Sequence, residues 1–390
     1  MNKIPAAHVY ENHLPRRVRF GRGASADLAK ELRRLGCERP LIVTDGGVKA
    51  AGLLARIGEA LTSSGLRLSA FDATKPEPPF ACVAEAIECA LKAGLEPDSV
   101  VALGGGSVID TAKLVAATFL DRREVRSLAG VGKVERRPLP LLCLPTTAGT
   151  GSEATPVAIF TDETTGLKVG VVDPCLVPDL VILDPALTDG LPALPTAAAG
   201  MDALIHAIEA LISRNATPLA RGLALEAARW LGPALPAVCG SGGDRAARDA
   251  MLIGANLAGM AFANSSCCGV HALALPLGGR FHVVHGVATG CLAAETMRHN
   301  LPACEEDFRV FAGALGWADS RALSFPDRLA DLARSIGLAK TLKATVVPDS
   351  VLPDLAREAV AIRRLMDPNP RPITESEAAE IYRRTLHAHA

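Results

Sequence analysis

Hydrophobic positions in the first half of the chain fall into short β-branched runs separated by segments with helical spacing. Residues 17–20, 40–45, 66–71, 99–103, 139–144 and 180–183 read as strands, and residues 26–35, 53–63, 83–93 and 107–118 as helices. Strands alternating with helices at this spacing predict a parallel, doubly wound sheet. From about Pro195 the pattern changes. Residues 197–213, 218–231, 245–264, 288–297, 327–338, 354–365 and 375–386 are Ala- and Leu-rich at helical spacing, with no alternating β-branched run between them. The Pro- and Leu-rich stretch 184–195 therefore divides an α/β domain, residues 1–190, from an all-α domain, residues 191–390.

One helical segment departs from its own apolar pattern. Residues 200–209 are apolar almost all round, yet Asp202, His206 and Glu209 recur at i, i+4 and i+7 and share one stripe. A carboxylate among aliphatics is costly unless a partner or a metal neutralises it. An Asp and a His one turn apart can reach a single cation. Further donors lie downstream: His271 is expected at the end of a long small-residue helix that runs on past residue 264 and is broken by Pro276 and Gly278-Gly279. His285 falls in the next turn region, beside Gly286. Each His alone suits an ordinary core or surface position, but four polar residues in apolar, glycine-rich surroundings call for a shared explanation. Three imidazole nitrogens and one carboxylate suit Fe²⁺ or Zn²⁺ with a position open for substrate.

The strand at 99–103 runs into Gly104-Gly105-Gly106-Ser107 and then into a helix carrying Asp110 and Lys113. A turn without Cβ atoms lets phosphate oxygens approach the backbone, and the helix N-terminus offers free N–H groups. A tight strand-to-helix turn with no ligand accounts for three glycines equally well. Asp45, at the end of the 40–45 strand, could accept from a ribose hydroxyl and repel a 2′-phosphate, or simply form an Asp-Gly turn. Residues 144–153, with Thr146 and Thr147, could line a polar pocket or serve as a capped loop.

Composition narrows the function classes. Lys and Arg number 41 against 42 Asp and Glu, so there is no electrostatic case for nucleic acid, and aromatics at 4 % leave little for base stacking. No apolar run is long enough to span a membrane, and residues 1–20 lack the pattern of a secretory signal. The ten cysteines include no Cys-x-x-Cys; the adjacent pair Cys267-Cys268 is read, like the rest, as small apolar filler in a reducing, cytoplasmic setting.

Taken in order, residues 104–107 with Asp110 and Lys113, then 145–153, 200–209 and 270–286 resemble the iron-containing alcohol dehydrogenases, a group within the dehydroquinate synthase/glycerol dehydrogenase superfamily. The resemblance runs from residues 17–21 to 369–371. It implies that Asp202, His206, His271 and His285 bind the metal, that Gly105, Gly106 and Ser107 hold the pyrophosphate, and that Asp45 meets the adenosine ribose. It also implies that Thr146, Thr147 and Lys168 lie near the nicotinamide or its ribose. NAD is expected rather than NADP, with an alcohol or carbonyl substrate and a homodimer or larger homo-oligomer.

One position departs from the family pattern. Where many members carry a second His four residues after the first ligand of the later motif, this chain has Leu275. A hydrocarbon cannot relay a proton, so another group, ordered water or the cofactor ribose must; His282 is a candidate, with a structural role beside Arg280 as the alternative. The expected reaction is hydride transfer between NAD(H) and an alcohol, aldehyde or ketone. The nearest alternative is reduction of an oxo acid, as in the related maleylacetate reductases, with Arg280 as the nearby cation. A lyase of the dehydroquinate synthase type and a non-catalytic binding protein are the other classes.

Overall fold

The computed structural model describes residues 9–121, 123–164, 168–240, 243–318 and 321–388. Six strands form a parallel sheet: β1 (Val18–Phe20), β2 (Pro40–Val43), β3 (Ser69–Phe71), β4 (Ser99–Gly104), β6 (Leu141–Pro145) and β9 (Leu180–Leu183), in the order β1-β9-β6-β4-β2-β3. Their near-continuous apolar sequences follow from burial on both faces. Leu41, Val43, Val100, Ala102, Leu141 and Cys143 point to one side, towards α4 (Ala81–Lys92) and α5 (Gly106–Thr118). Ile42, Val101, Leu103, Leu142 and Leu144 point to the other, towards α1 (Leu28–Arg34) and α3 (Leu53–Ser63), with the short α2 (Gly46–Ala50) following β2.

A second, three-stranded sheet was not foreseen in the sequence. It orders β5 (Gly130–Val131), β8 (Lys168–Val172) and β7 (Val157–Thr161), with β5 parallel and β7 antiparallel to β8. β8 is five residues long with Gly170 at its centre and a half-exposed pattern, so its strand signal is weak.

The remainder is helical: α6 (Ala193–Ile212), α7 (Pro218–Gly240), α8 (Arg245–Ala263), α9 (Gly269–Phe281), α10 (His285–Ala314), α11 (Phe325–Ser335), α12 (Leu338–Lys343), α13 (Leu352–Ala361), α14 (Arg363–Met366) and α15 (Glu375–Ala388). No helix among the described residues is long and apolar enough to cross a membrane. α6 is buried along almost its whole length and forms the axis of one large apolar core. α7 continues through Pro233 and Pro236, where the sequence pattern stops at 231; burial of Ala234, Leu235 and Val238 holds the extra turns.

The expected long helix past residue 264 is two helices. Asn264 ends α8 by donating from Nδ2 to the Met260 carbonyl (2.7 Å) and to the His13 carbonyl (2.9 Å). His271 therefore lies in the first turn of α9 rather than at a helix end. Pro276 and the Gly278-Gly279 pair lie inside α9 and do not break it. α10 opens at His285 itself and runs to Ala314, with a kink at Cys304 two residues after Pro302.

The sheet and the helices meet through β9, where Val181 and Leu183 pack on Leu252 of α8. A Cβ on Gly151 would lie 2.5 Å from the α-carbon of Gly259, and Gly151 itself has φ +59°, so this crossing of loop and α8 needs glycine on both counts.

At the far edge, Glu31 on α1 ties β1 down by accepting from Arg17 (2.8 Å) and Arg19 (2.5 Å), with its side chain 1 % exposed. The hydrogen bond from Arg17 leads in holding its carboxyl at about 2, below the ordinary 4.5, against the opposing effect of burial. A carboxylate depressed on folding stabilises fully above its unfolded value and loses that contribution as pH falls through the folded one. Glu31→Gln is therefore expected to be less stable than wild type at neutral pH, with the gap closing between pH 4.5 and about 2. Urea unfolding across that range checks this; a gap independent of pH would contradict it.

Candidate metal and cofactor site

The carboxyl ends of β2, β4 and β6 open into a cleft of about 750 Å³. Asp45, Gly105, Gly106, Ser107, Thr146 and Thr147 all line it, together with Lys75. Gly104 closes β4 and α5 begins at Gly106, which places that helix N-terminus at the cleft. A Cβ on Gly106 would lie 2.9 Å from Cγ2 of Thr150, so the 146–150 loop rests directly on the glycine turn. Asp45 caps α2, its Oδ1 accepting from the Val48 N–H at 2.9 Å. A carboxylate so engaged retains capacity for further donors.

Lys113, fully buried, holds the loop from behind. Its ammonium donates to the carbonyls of Ser152 (2.7 Å) and Thr155 (2.8 Å) and to the Thr155 hydroxyl (3.0 Å). It has no access to the cleft, and its work is structural. The same loop reaches α6: a Cβ on Gly149 would lie 2.6 Å from that of Ala199, less than one turn before Asp202. Lys168, on β8, pairs with Glu77, whose N–H donates to Ser107 Oγ at 3.3 Å. Its charge also reaches His285.

On the helical side, Asp202, His271 and His285 present one donor atom each within 4.8 Å of one another. Asp202 Oδ1 is 3.6 Å from Nε2 of His271 and 3.7 Å from Nε2 of His285. It also accepts from the Thr289 hydroxyl at 3.1 Å. His285 reaches Asp202 because α10 starts hard against α6, where a Cβ on Gly286 would lie 2.1 Å from the Ala198 carbonyl oxygen. His206 is adjacent, with Nδ1 3.9 Å from Asp202 Oδ2, and it groups instead with His271 and Cys267. The rings of His206 and His271 stack at 4.5 Å, and Phe262 covers the other face of His206 at 4.4 Å. His282 enters neither group: it is exposed and ends α9 in a left-handed conformation, φ +55°.

Glu209 is fully buried beneath this cluster. It accepts from His271 Nδ1 (2.6 Å) and from the backbone N–H groups of Cys268 (2.8 Å) and Val270 (2.6 Å) at the start of α9. With Nδ1 held by Glu209, Nε2 of His271 faces Asp202, the orientation that ligating imidazoles take from an outer carboxylate.

Burial opposes the charge on Asp202, but His206, His285 and His271 outweigh it and hold the carboxyl below its ordinary range. Burial pushes His285 down to about 3, against the pull of Asp202. Two buried nitrogens, Nδ1 of His206 and Nε2 of His271, have no hydrogen-bond partner among the described residues. An ion would supply what both lack. Imidazole nitrogens around one carboxylate fit Fe²⁺ or Zn²⁺.

Two further side chains enter here. Cys267, expected as filler, stands four residues before His271 and groups with it. Arg364, on α14, is exposed to solvent yet crowded by protein. Burial lowers its pKa and the charge of Cys267 opposes that shift. No carboxylate pairs with it among the described residues. Arg280, the cation expected nearby, is instead taken up by Glu358.

A nucleotide-sized cleft at the strand ends, joined by the Gly149–Ala199 contact to the helix that carries a buried carboxylate–imidazole cluster, is what a metal-dependent dehydrogenase requires. The profile of the iron-containing alcohol dehydrogenases matches residues 15–185, and that of the family's C-terminal region matches residues 196–386. The chain is 36 % identical over 371 residues to long-chain-alcohol dehydrogenase 1 of Geobacillus thermodenitrificans, covering 93 % of each. In structure it is similar to a 1,3-propanediol oxidoreductase, with TM-score 0.91, 31 % identity and coverage of 97 % of this chain and 100 % of that one. It is also similar to sulfoacetaldehyde reductase from Bifidobacterium kashiwanohense in complex with NAD⁺, with TM-score 0.87, 29 % identity and coverage of 97 % and 99 %. The chain belongs to the iron-containing alcohol dehydrogenase family, and it is an oxidoreductase acting on CH–OH groups.

Because Glu209 orients His271, Glu209→Gln is expected to weaken metal retention by roughly 10–100-fold, the usual cost of losing an outer carboxylate partner. Titration of the loaded protein with a competing chelator measures this; unchanged retention would contradict the orienting role.

Proposed function

We propose that this dehydrogenase interconverts an alcohol with its aldehyde or ketone using NAD(H), with residues 1–190 binding the cofactor and residues 191–390 the metal. The observation that carries this reading is the cluster of Asp202, His271 and His285, oriented by Glu209 and adjoined by His206, on the far side of a cleft lined by Asp45, Gly105, Gly106 and Ser107. Asp202, His206, His271 and His285 would hold Fe²⁺ or Zn²⁺. When bound, the ion acts as a Lewis acid on the substrate oxygen.

The chain's own groups do the rest. The α5 N-terminus, with Gly105, Gly106 and Ser107, offers amides and a positive dipole end to the pyrophosphate. Asp45 accepts from the adenosine ribose and disfavours a 2′-phosphate, which supports NAD over NADP. Thr146, Thr147 and Lys168 would lie near the nicotinamide end, and Phe262, stacked on His206, keeps one face of the cluster apolar. Alignment of donor and acceptor carbons by these walls, with water excluded, is the main source of rate. Leu275 carries no proton, and the exposed, left-handed position of His282 supports a capping role for it, which leaves the cofactor ribose or a single ordered water to carry the proton.

Exposed Val18 and Phe20 on edge strand β1 support a homodimer. Ten free thiols support a reducing, cytoplasmic location. His271→Ala should lose turnover while keeping its NADH dissociation constant within about twofold, as expected where the altered contact acts only in the chemical step. Full activity of that variant after chelation would overturn the metal reading.

A second reading is favoured by Arg364: a carbonyl substrate bearing a carboxylate or sulfonate. An unpaired guanidinium in protein-crowded surroundings seeks an anion, and the likeness to a sulfoacetaldehyde reductase supports this reading. Arg364→Met should then lower kcat/KM for a carboxylate-bearing aldehyde by about 10–100-fold, the worth of a charged hydrogen bond. Neutral aldehydes of the same length should be unaffected. Equal loss on both would remove the anion reading and leave the dehydrogenase reading standing.

A further inference from the structure

The four ligands proposed above do not account for Cys267. It lies in the short segment between α8 and α9 and is 8 % exposed. Its sulfur, one ring nitrogen of His206 and one of His271 all lie within 4.8 Å of one another. A cysteine that merely fills space in a core meets only hydrocarbon; this one borders the apolar core and also stands beside two imidazoles.

Three further observations point to a ligand. Nδ1 of His206 and Nε2 of His271 are buried and unpartnered, and both residues belong to the Cys267 group. The segment carrying the sulfur is fixed by the carboxylate that orients His271, since Glu209 accepts from the N–H of the next residue, Cys268, at 2.8 Å. The neighbouring Cys268 is turned elsewhere, its sulfur 3.7 Å from the Glu209 carbonyl.

We propose that Cys267 is a thiolate ligand of the metal centre, adding a sulfur donor to Asp202 and the imidazoles. This rests on the reading that an ion binds there. On binding, the S–H bond breaks, the proton leaves to solvent and a sulfur–metal bond forms. A soft thiolate shifts preference towards Zn²⁺ relative to a site of nitrogen and oxygen alone.

The test is to load the full-length protein with Co²⁺ and record its absorption spectrum alongside metal content. Wild type should bind cobalt and show a near-ultraviolet sulfur-to-cobalt charge-transfer band. Cys267→Ser should lose that band while keeping the visible d–d bands, which report the surviving ligands, and Cys268→Ser should keep both. Zinc affinity of Cys267→Ser should fall by at least the roughly 10–100-fold that an outer-shell partner is worth, with Fe²⁺ affinity falling less. Bound cobalt with d–d bands but no charge-transfer band in wild type overturns the thiolate ligand and leaves the proposed function intact. A band that persists in Cys267→Ser overturns it as well. Failure of wild type to bind cobalt at all overturns both readings. If Cys267→Ser does not fold, the wild-type and Cys268→Ser spectra decide: a band in both supports the ligand, and its absence from either overturns it.

Discussion

A single buried carboxylate joins the metal side of this molecule together. Glu209 sits at zero exposure among aliphatic side chains, where an uncompensated charge would cost several kcal/mol. It is tolerated because two backbone amides from the first turn of α9 and the His271 ring all donate to it. Those bonds fix where α9 begins, which way His271 faces and where the Cys267–Cys268 segment runs. α6 supplies Asp202 and His206 from the same helix that carries Glu209, so the position of one carboxylate sets the frame for the cluster. His285 alone enters independently, through the close approach of α10 to Ala198 that Gly286 permits.

The parallel sheet and most helices were legible because their apolar residues repeat at clean periods. β4, six residues with no exposed position, and α6, apolar around nearly its whole surface, leave little choice of conformation. The second sheet was not legible. β8 is short, interrupted by glycine and half exposed, and its stability comes from pairing with β5 and β7, distant in sequence. Pro276 misled for the opposite reason: a strong local breaker was outweighed by burial of the helix around it.

Around the site, the candidates that stood on repeated spacing or on a glycine turn lie together, and those that depended on loop geometry do not all do so. His282, three residues before His285, was the proton-relay candidate of the sequence, but a left-handed helix end leaves it exposed to solvent. Arg280 and Arg364 are separated by more than eighty positions, and only tertiary contacts reveal that one is neutralised by Glu358 and the other is not. Cys267 carried a usable sign, a sulfur one helical turn in sequence before His271, but the chain between them is not helical throughout, so the spacing alone meant little.

The contact of Gly149 with Ala199 has a mechanical consequence. Backbones that meet with no room for a methyl group cannot slide over each other, so the loop bearing Thr146 and Thr147 moves with the helix bearing Asp202 as one body. The glycine turn that lines the cleft and the carboxylate–imidazole cluster on α6 therefore keep a separation set by packing, and no rearrangement of one against the other is open to them.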